Sequence, residues 1–163
     1  MTRAQFSDGE QRCDTTDEMK QLSEQLVNAI VAADLRLRDI DESSAAHKTA
    51  PEVWSKKELL GHLIDSASNN HQRFVRLQLA EGLRLPKYEQ EGWVRVQGYQ
   101  AADWASLVAL WRAYNLHLAR LIRDASPDAL QHTCHVGDGE RVTLQFLMED
   151  YLVHLEHHLL QLL

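Results

Sequence analysis

Tyr151-Leu152-Val153-His154-Leu155-Glu156-His157-His158-Leu159-Leu160 reads as α-helix: apolar residues recur at three- and four-residue steps, and histidines supply most of the interruptions. Successive residues advance about 100° around a helix axis, so, measured from His154, Leu147 lies at about 20°, His158 at about 40°, Tyr151 at about 60° and Leu155 at about 100°. His154 and His158 therefore border the inward stripe. Residues at i and i+4 stand about 5–6 Å apart between Cβ atoms, close enough for two neutral imidazoles to share one metal ion. His157 falls to the other side, with Glu149, Val153 and Glu156, and reads as a rim or surface residue.

Further ligands must come from elsewhere in the chain. Ser55-Lys56-Lys57-Glu58 is a capping-box sequence, and it predicts a helix from there to about Ala80. Leu59, Leu63, Phe74 and Leu77 form its apolar stripe, and His62, Ser66, Asn69 and Arg73 line the polar edge within about 40° of His62. His62 is thus the best third ligand, while His71 points to the opposite side and is expected at the surface. Gly82 and Pro86 stop this helix, and a loop is expected through Pro86 and Trp93 to about Tyr99.

Two more helices complete the pattern. Thr15-Thr16-Asp17-Glu18 supplies a cap and first-turn acids, after which Met19, Leu22, Leu26, Ile30, Ala33 and Leu37 predict a helix of about six turns. The Ser-rich stretch 41–53 with Pro51 reads as a connection. Trp104, Leu107, Val108, Trp111, Leu118 and Ile122 mark a helix from about Ala102 to Ala125, stopped by Ser126-Pro127. Residues 134–142 suit a small hairpin around Asp138-Gly139, and Thr143 caps the last helix, which runs almost to Leu163. Residues 1–15 are polar and aperiodic and are expected to form a flexible arm before a single domain at 16–163. Four long amphipathic helices without a central strand predict an all-α four-helix bundle, a fold that builds metal sites from inward side chains on facing helices.

The composition limits the choice of function. A chain of 163 residues with 44% hydrophobic residues suffices for one core. A formal net charge of −7, with no basic stripe, argues against nucleic acid as a partner. No run of about eighteen apolar residues is long enough to span a membrane, and Met1-Thr2-Arg3-Ala4-Gln5 lacks the apolar core of a signal peptide, so a cytoplasmic protein is expected. Cys13 and Cys134, far apart, make neither a disulfide framework nor a thiolate cage.

Three neutral histidines leave an open position on zinc or nickel, where bound water or thiol becomes a nucleophile. Asp65, one turn after His62, could accept a ring N–H, steer a substrate or carry a proton as a catalytic group. Asp150, one turn before His154, could orient that ring; either carboxylate could instead simply face water. Ser66, Asn69 and Arg73 are placed to read polar or anionic substrate groups. Trp54, Tyr88 and Trp93 wall a pocket or belong to the core.

The stretches Trp54-Ser55-Lys56-Lys57-Glu58-Leu59-Leu60-Gly61-His62, Gly92-Trp93-Val94 with Tyr99, and Tyr151-Leu152-Val153-His154-Leu155-Glu156-His157-His158 together resemble the DinB/YfiT-like superfamily, over roughly residues 17–163. The resemblance implies a four-helix bundle holding a divalent ion, often nickel or zinc, on His62, His154 and His158. It also implies transfer of a low-molecular-weight thiol to small electrophiles or thiol-dependent isomerisation, and a homodimer. On this reading the chain is a metal-dependent thiol transferase or hydrolase with a small-molecule substrate. The alternatives are a metal- or ligand-binding bundle without turnover, and an interaction module whose histidines are hydrogen-bonded core residues.

Overall fold

Ser55 opens the helix that carries His62. Its hydroxyl accepts the Glu58 N–H at 3.2 Å, and the Glu58 carboxylate accepts the Ser55 N–H at 2.8 Å, so the capping box closes as its sequence predicts. Replacing Ser55 with alanine is expected to lower stability by about 1 kcal/mol, read from the urea midpoint at unchanged slope.

The computed structural model describes the backbone from Asp8 and side chains from Thr15, through Leu163. Four long helices, α1 (Asp8–Arg38), α3 (Lys56–Leu79), α5 (Trp104–Arg123) and α6 (Leu144–Leu162), form the bundle. Helix α1 packs on α5, and α3 packs on both α5 and α6. Trp111, Phe74, Tyr151, Leu26 and Leu60 fill the centre, where the Tyr151 hydroxyl donates to Asn115 Oδ1 at 2.6 Å so that neither polar group is buried alone. Among the described residues, no helix is long and apolar enough to cross a membrane.

Several segments differ from expectation. Helix α1 begins at Asp8, upstream of the cap expected at Thr15–Asp17, so the proposed arm is helical in backbone from Asp8; its residues 1–7 lie outside the described residues. Burial periodicity marks only where a helix is covered, whereas Glu10, Gln11 and Arg12 favour helix without needing a partner. The connection 41–53 contains a short helix, α2 (Glu42–Ala46), capped by Asp41. The expected loop before Tyr99 holds β1 (Leu83–Leu85) and α4 (Gln90–Gln97), which ends at Gly98 with φ 65°, followed by a 3₁₀ turn over Tyr99–Ala101. The hairpin forms as β2 (Thr133–Val136) and β3 (Arg141–Thr143), but β1 joins it in parallel, giving a three-stranded sheet in the order β1-β2-β3.

His71, expected at the surface, is half-buried: its ring packs on His117 at 5.0 Å and its Nδ1 lies 3.1 Å from the Tyr114 hydroxyl. Helix α5 covers the side of α3 that α6 leaves open, so His71 meets α5 while the solvated face of α3 is carried by Gln72, Val75 and Arg76.

Candidate metal centre

Packing of α6 on α3 brings three histidines to one point. Ring centroids are separated by 5.3 Å between His62 and His154, 4.8 Å between His62 and His158, and 4.5 Å between His154 and His158. One ligand nitrogen from each lies within 4.8 Å of the other two.

His62 is the buried member, 0% exposed and covered by the Trp54 ring at 5.3 Å. Neither Nδ1 nor Nε2 has a hydrogen-bond partner among the described residues. A neutral imidazole has one N–H to give and one lone pair to fill, and each buried group left unmet costs about 1–3 kcal/mol. His154 and His158 are half-buried and partly held: Ser66 Oγ lies 3.4 Å from His154 Nδ1, and Gln161 Oε1 lies 3.1 Å from His158 Nδ1. An amide oxygen only accepts, so His158 carries its proton on Nδ1 and keeps the Nε2 lone pair free. The same amide places its Nε2 at 2.9 Å from His157 Nε2. His157 is exposed, as its position on the wheel predicts, yet it steadies the residue that orients His158. Gln161 escaped the sequence reading; its i,i+3 and i,i+4 spacing to His158 and His157 is the signal that could have found it.

Burial, then the neighbouring His158 and His154, brings the His62 pKa down to about 4; burial and His158 bring His154 down to about 4 as well, against the pull of Asp150. Burial also lowers His158. All three rings are therefore neutral, as ligands must be, at neutral pH. Between the ordinary value of 6.5 and about 4, the unfolded chain binds protons that folded His62 and His154 refuse. The metal-free protein should thus lose stability as pH falls through that window, and the loss from these groups should level off below it. Asp65 acts in the opposite sense, because burial raises its pKa and the folded carboxyl keeps its proton above 3.8. Urea midpoints from pH 7.5 to 4, measured for the native chain and for His62→Leu, isolate the His62 share as the difference in pH dependence.

Asp65 is 1% exposed and does not bond to His62. Its Oδ1 accepts from the Tyr99 hydroxyl at 2.7 Å and from the Gln97 amide, while Oδ2 has no partner among the described residues. Asp150 is exposed beside His154.

A cavity of about 430 Å³ opens from His154 and Ser66 towards Arg73, Tyr88 and Lys87. Of the expected substrate-reading residues, Ser66 and Arg73 line it; Asn69 does not, and Asn70, one step on around the helix, lies there instead. Tyr88 lines the cavity and packs on Trp93 at 5.1 Å, whereas Trp93 itself is 38% exposed.

The donor set tests well against a divalent ion. Three neutral imidazoles converge, and among the described residues no carboxylate or thiolate completes the cluster and the ring sealed from water has nothing else to bond. Such a set suits zinc or nickel and leaves coordination open to a further ligand.

A family model described as the DinB superfamily matches residues 17–162. The chain is 26% identical over 121 residues to a protein of Halalkalibacterium halodurans named as a candidate metal-dependent hydrolase, covering 74% of this chain and 70% of the other. A like-named protein of Oceanobacillus iheyensis is 25% identical over 146 residues, 88% of this chain and 78% of its own. YfiT of Bacillus subtilis, also so named, is 23% identical over 107 residues, 65% and 60% of the two chains. A solved structure of YfiT from Bacillus subtilis, described as having an unusual four-helix bundle topology, matches in fold with a TM-score of 0.73 at 20% identity, covering 98% of this chain and 87% of that one.

Proposed function

The chain belongs to the DinB superfamily, and from that premise we propose that it is a divalent-metal-dependent enzyme acting on a small electrophilic substrate, with zinc or nickel held by His62, His154 and His158. The observation that carries this reading is the pair of unpartnered nitrogens on the fully buried His62, beside two further imidazoles. When bound, a divalent ion acts as a Lewis acid and lowers the pKa of bound water towards about 7, or favours a bound thiolate. The names of the relatives favour hydrolysis; a low-molecular-weight thiol in place of water is the variant of the same chemistry that the family resemblance suggests.

The chain's own groups set the stage for that chemistry. Gln161 fixes the His158 tautomer, and Trp54 closes the far side of His62 from water. Asp65 offers a buried oxygen, Oδ2, with no partner among the described residues, and burial raises its pKa above the ordinary carboxyl value. In this reading Asp65 moves protons at Oδ2, while Tyr99 and Gln97 hold Oδ1 in place.

Protein prepared without a tag or chelator is expected to carry about one zinc or nickel per chain, read by elemental analysis. On a panel of esters, amides and thiol–electrophile pairs, the loaded protein should turn over a substrate at least ~100-fold faster than the chelated protein, since electrostatic stabilisation of this kind is worth ~10²–10³ in rate. Equal rates with and without metal would show that the histidines do not hold a catalytic ion.

A further inference from the structure

The cavity beside the histidines holds a cation that makes no direct ion pair among the described residues. Arg73, on α3 and half-buried, donates from Nη1 to Asn70 Oδ1 at 3.2 Å, and among the described residues no carboxylate forms a direct ion pair with it, Asp150 acting on it only through space. A guanidinium has five N–H donors in a planar fork, and water supplies partners poorly where the group is half covered. Burial already works against its charge. Asp150, across the cavity, acts on this charge only through space, so most of the guanidinium's donors are left for a bound anion in direct contact. Lys87, from the segment between β1 and α4, adds a second positive charge at the same cavity.

We propose that Arg73, supported by Lys87, is a carboxylate-binding subsite that orients a small monocarboxylate substrate along the cavity, with its other end towards His154 and Ser66. Three features of the cavity define that ligand class. A planar carboxylate matches the guanidinium fork bidentately. Asp138 and Asp150 line the same cavity and oppose a second negative charge, which disfavours phosphate dianions and dicarboxylates. Tyr88 and Tyr151 supply ring surface for an apolar body, and a volume of about 430 Å³ admits a single small molecule. The subsite names a substrate class for the proposed metal-dependent reaction and rests on that reading only for what happens at the other end of the molecule.

The test uses benzoate, its uncharged counterpart benzamide, and inorganic phosphate as probes, with ligand-observed NMR and calorimetry on the full chain, both zinc-loaded and chelated. Benzoate is expected to bind at least tenfold more tightly than benzamide and more tightly than phosphate, with or without zinc. Arg73→Gln should weaken benzoate at least tenfold and leave benzamide and zinc uptake unchanged; Arg73→Lys, which keeps the charge and loses the fork, should fall between. Equal affinity for benzoate and benzamide overturns the proposal on the native chain alone, whatever the variants do. So does tighter binding of phosphate, or benzoate binding that requires zinc and survives Arg73→Gln, which would place the carboxylate on the ion instead. Benzoate selectivity in a protein that takes up no metal would sustain the subsite and remove the metal-dependent reading.

Discussion

Replacing His62 with leucine is expected to raise the melting temperature of the metal-free protein and to abolish the further rise that zinc or nickel gives the native chain. The two effects have opposite signs because one feature causes both. In the metal-free protein the ring is fully buried with two unmet nitrogens, at a cost of about 1–3 kcal/mol each. Leucine is of similar volume and has no polar atoms, so about 2 kcal/mol should be recovered after some loss of fit against Trp54, or roughly 2–4 °C per kcal/mol in a chain of this size. In the native chain an ion at about a thousandfold its dissociation constant adds about 4 kcal/mol, which the leucine variant cannot gain. His154→Ala and His158→Ala should also lose the metal, but without the gain in metal-free stability, because those rings are half exposed and lie beside Ser66 and Gln161. Scanning calorimetry with and without zinc checks both signs. A leucine variant that melts lower than the native chain without metal, and still responds to zinc, would mean that His62 is an ordinary core residue.

That contrast also shows what the sequence could and could not reveal. Helices α3 and α6 were legible because their burial is periodic and their starts are capped by Ser55 and Thr143, and the same wheel placed His62, Ser66, His154 and His158 on facing edges. What escaped depends on contacts between distant segments. Tyr99 sits in a stretch that reads as loop, yet it is buried and bonds Asp65 across 34 positions of sequence. Strand β1 has only three residues, too few for any period, and becomes a strand because Cys134 and its neighbours offer a partner edge. Asn70 replaced Asn69 at the cavity because a one-residue step turns a helix by about 100°, enough to move a side chain from the edge of a face into the pocket. His71 misled for a related reason: a wheel finds the face opposite one partner, but α3 has two.

Gly61→Ala should be the most destabilising of the small substitutions near the site, although alanine favours helix over glycine by about 1 kcal/mol. A Cβ on Gly61 would meet the Tyr99 ring at 2.1 Å from Cδ2 and 2.2 Å from Cγ, contacts no structure sustains. Tyr99 has little room to yield: it is 7% exposed, and its backbone starts the 3₁₀ turn directly after Gly98. Moving the ring would take its hydroxyl from Asp65, whose carboxylate is buried and keeps only Gln97 as a partner. Overpacking costs about 1–3 kcal/mol and the lost bond to a buried carboxylate about as much again, so a net loss of roughly 2–4 kcal/mol remains after the helix gain. The close approach of Gly61 therefore couples the α4–α5 connection to the carboxyl one turn beyond His62. A double-mutant cycle separates this account from a general intolerance of α3. In a Tyr99→Ala background the steric conflict is gone, and Gly61→Ala should become neutral or mildly stabilising, a coupling of at least ~2 kcal/mol by chemical denaturation. Tyr99→Phe keeps the ring and removes only the hydroxyl; it should leave the Gly61→Ala penalty largely in place while pushing the Asp65 carboxyl further up. Equal costs of Gly61→Ala in the native and Tyr99→Ala backgrounds would break the link between this glycine, the tyrosine above it and the carboxyl they position.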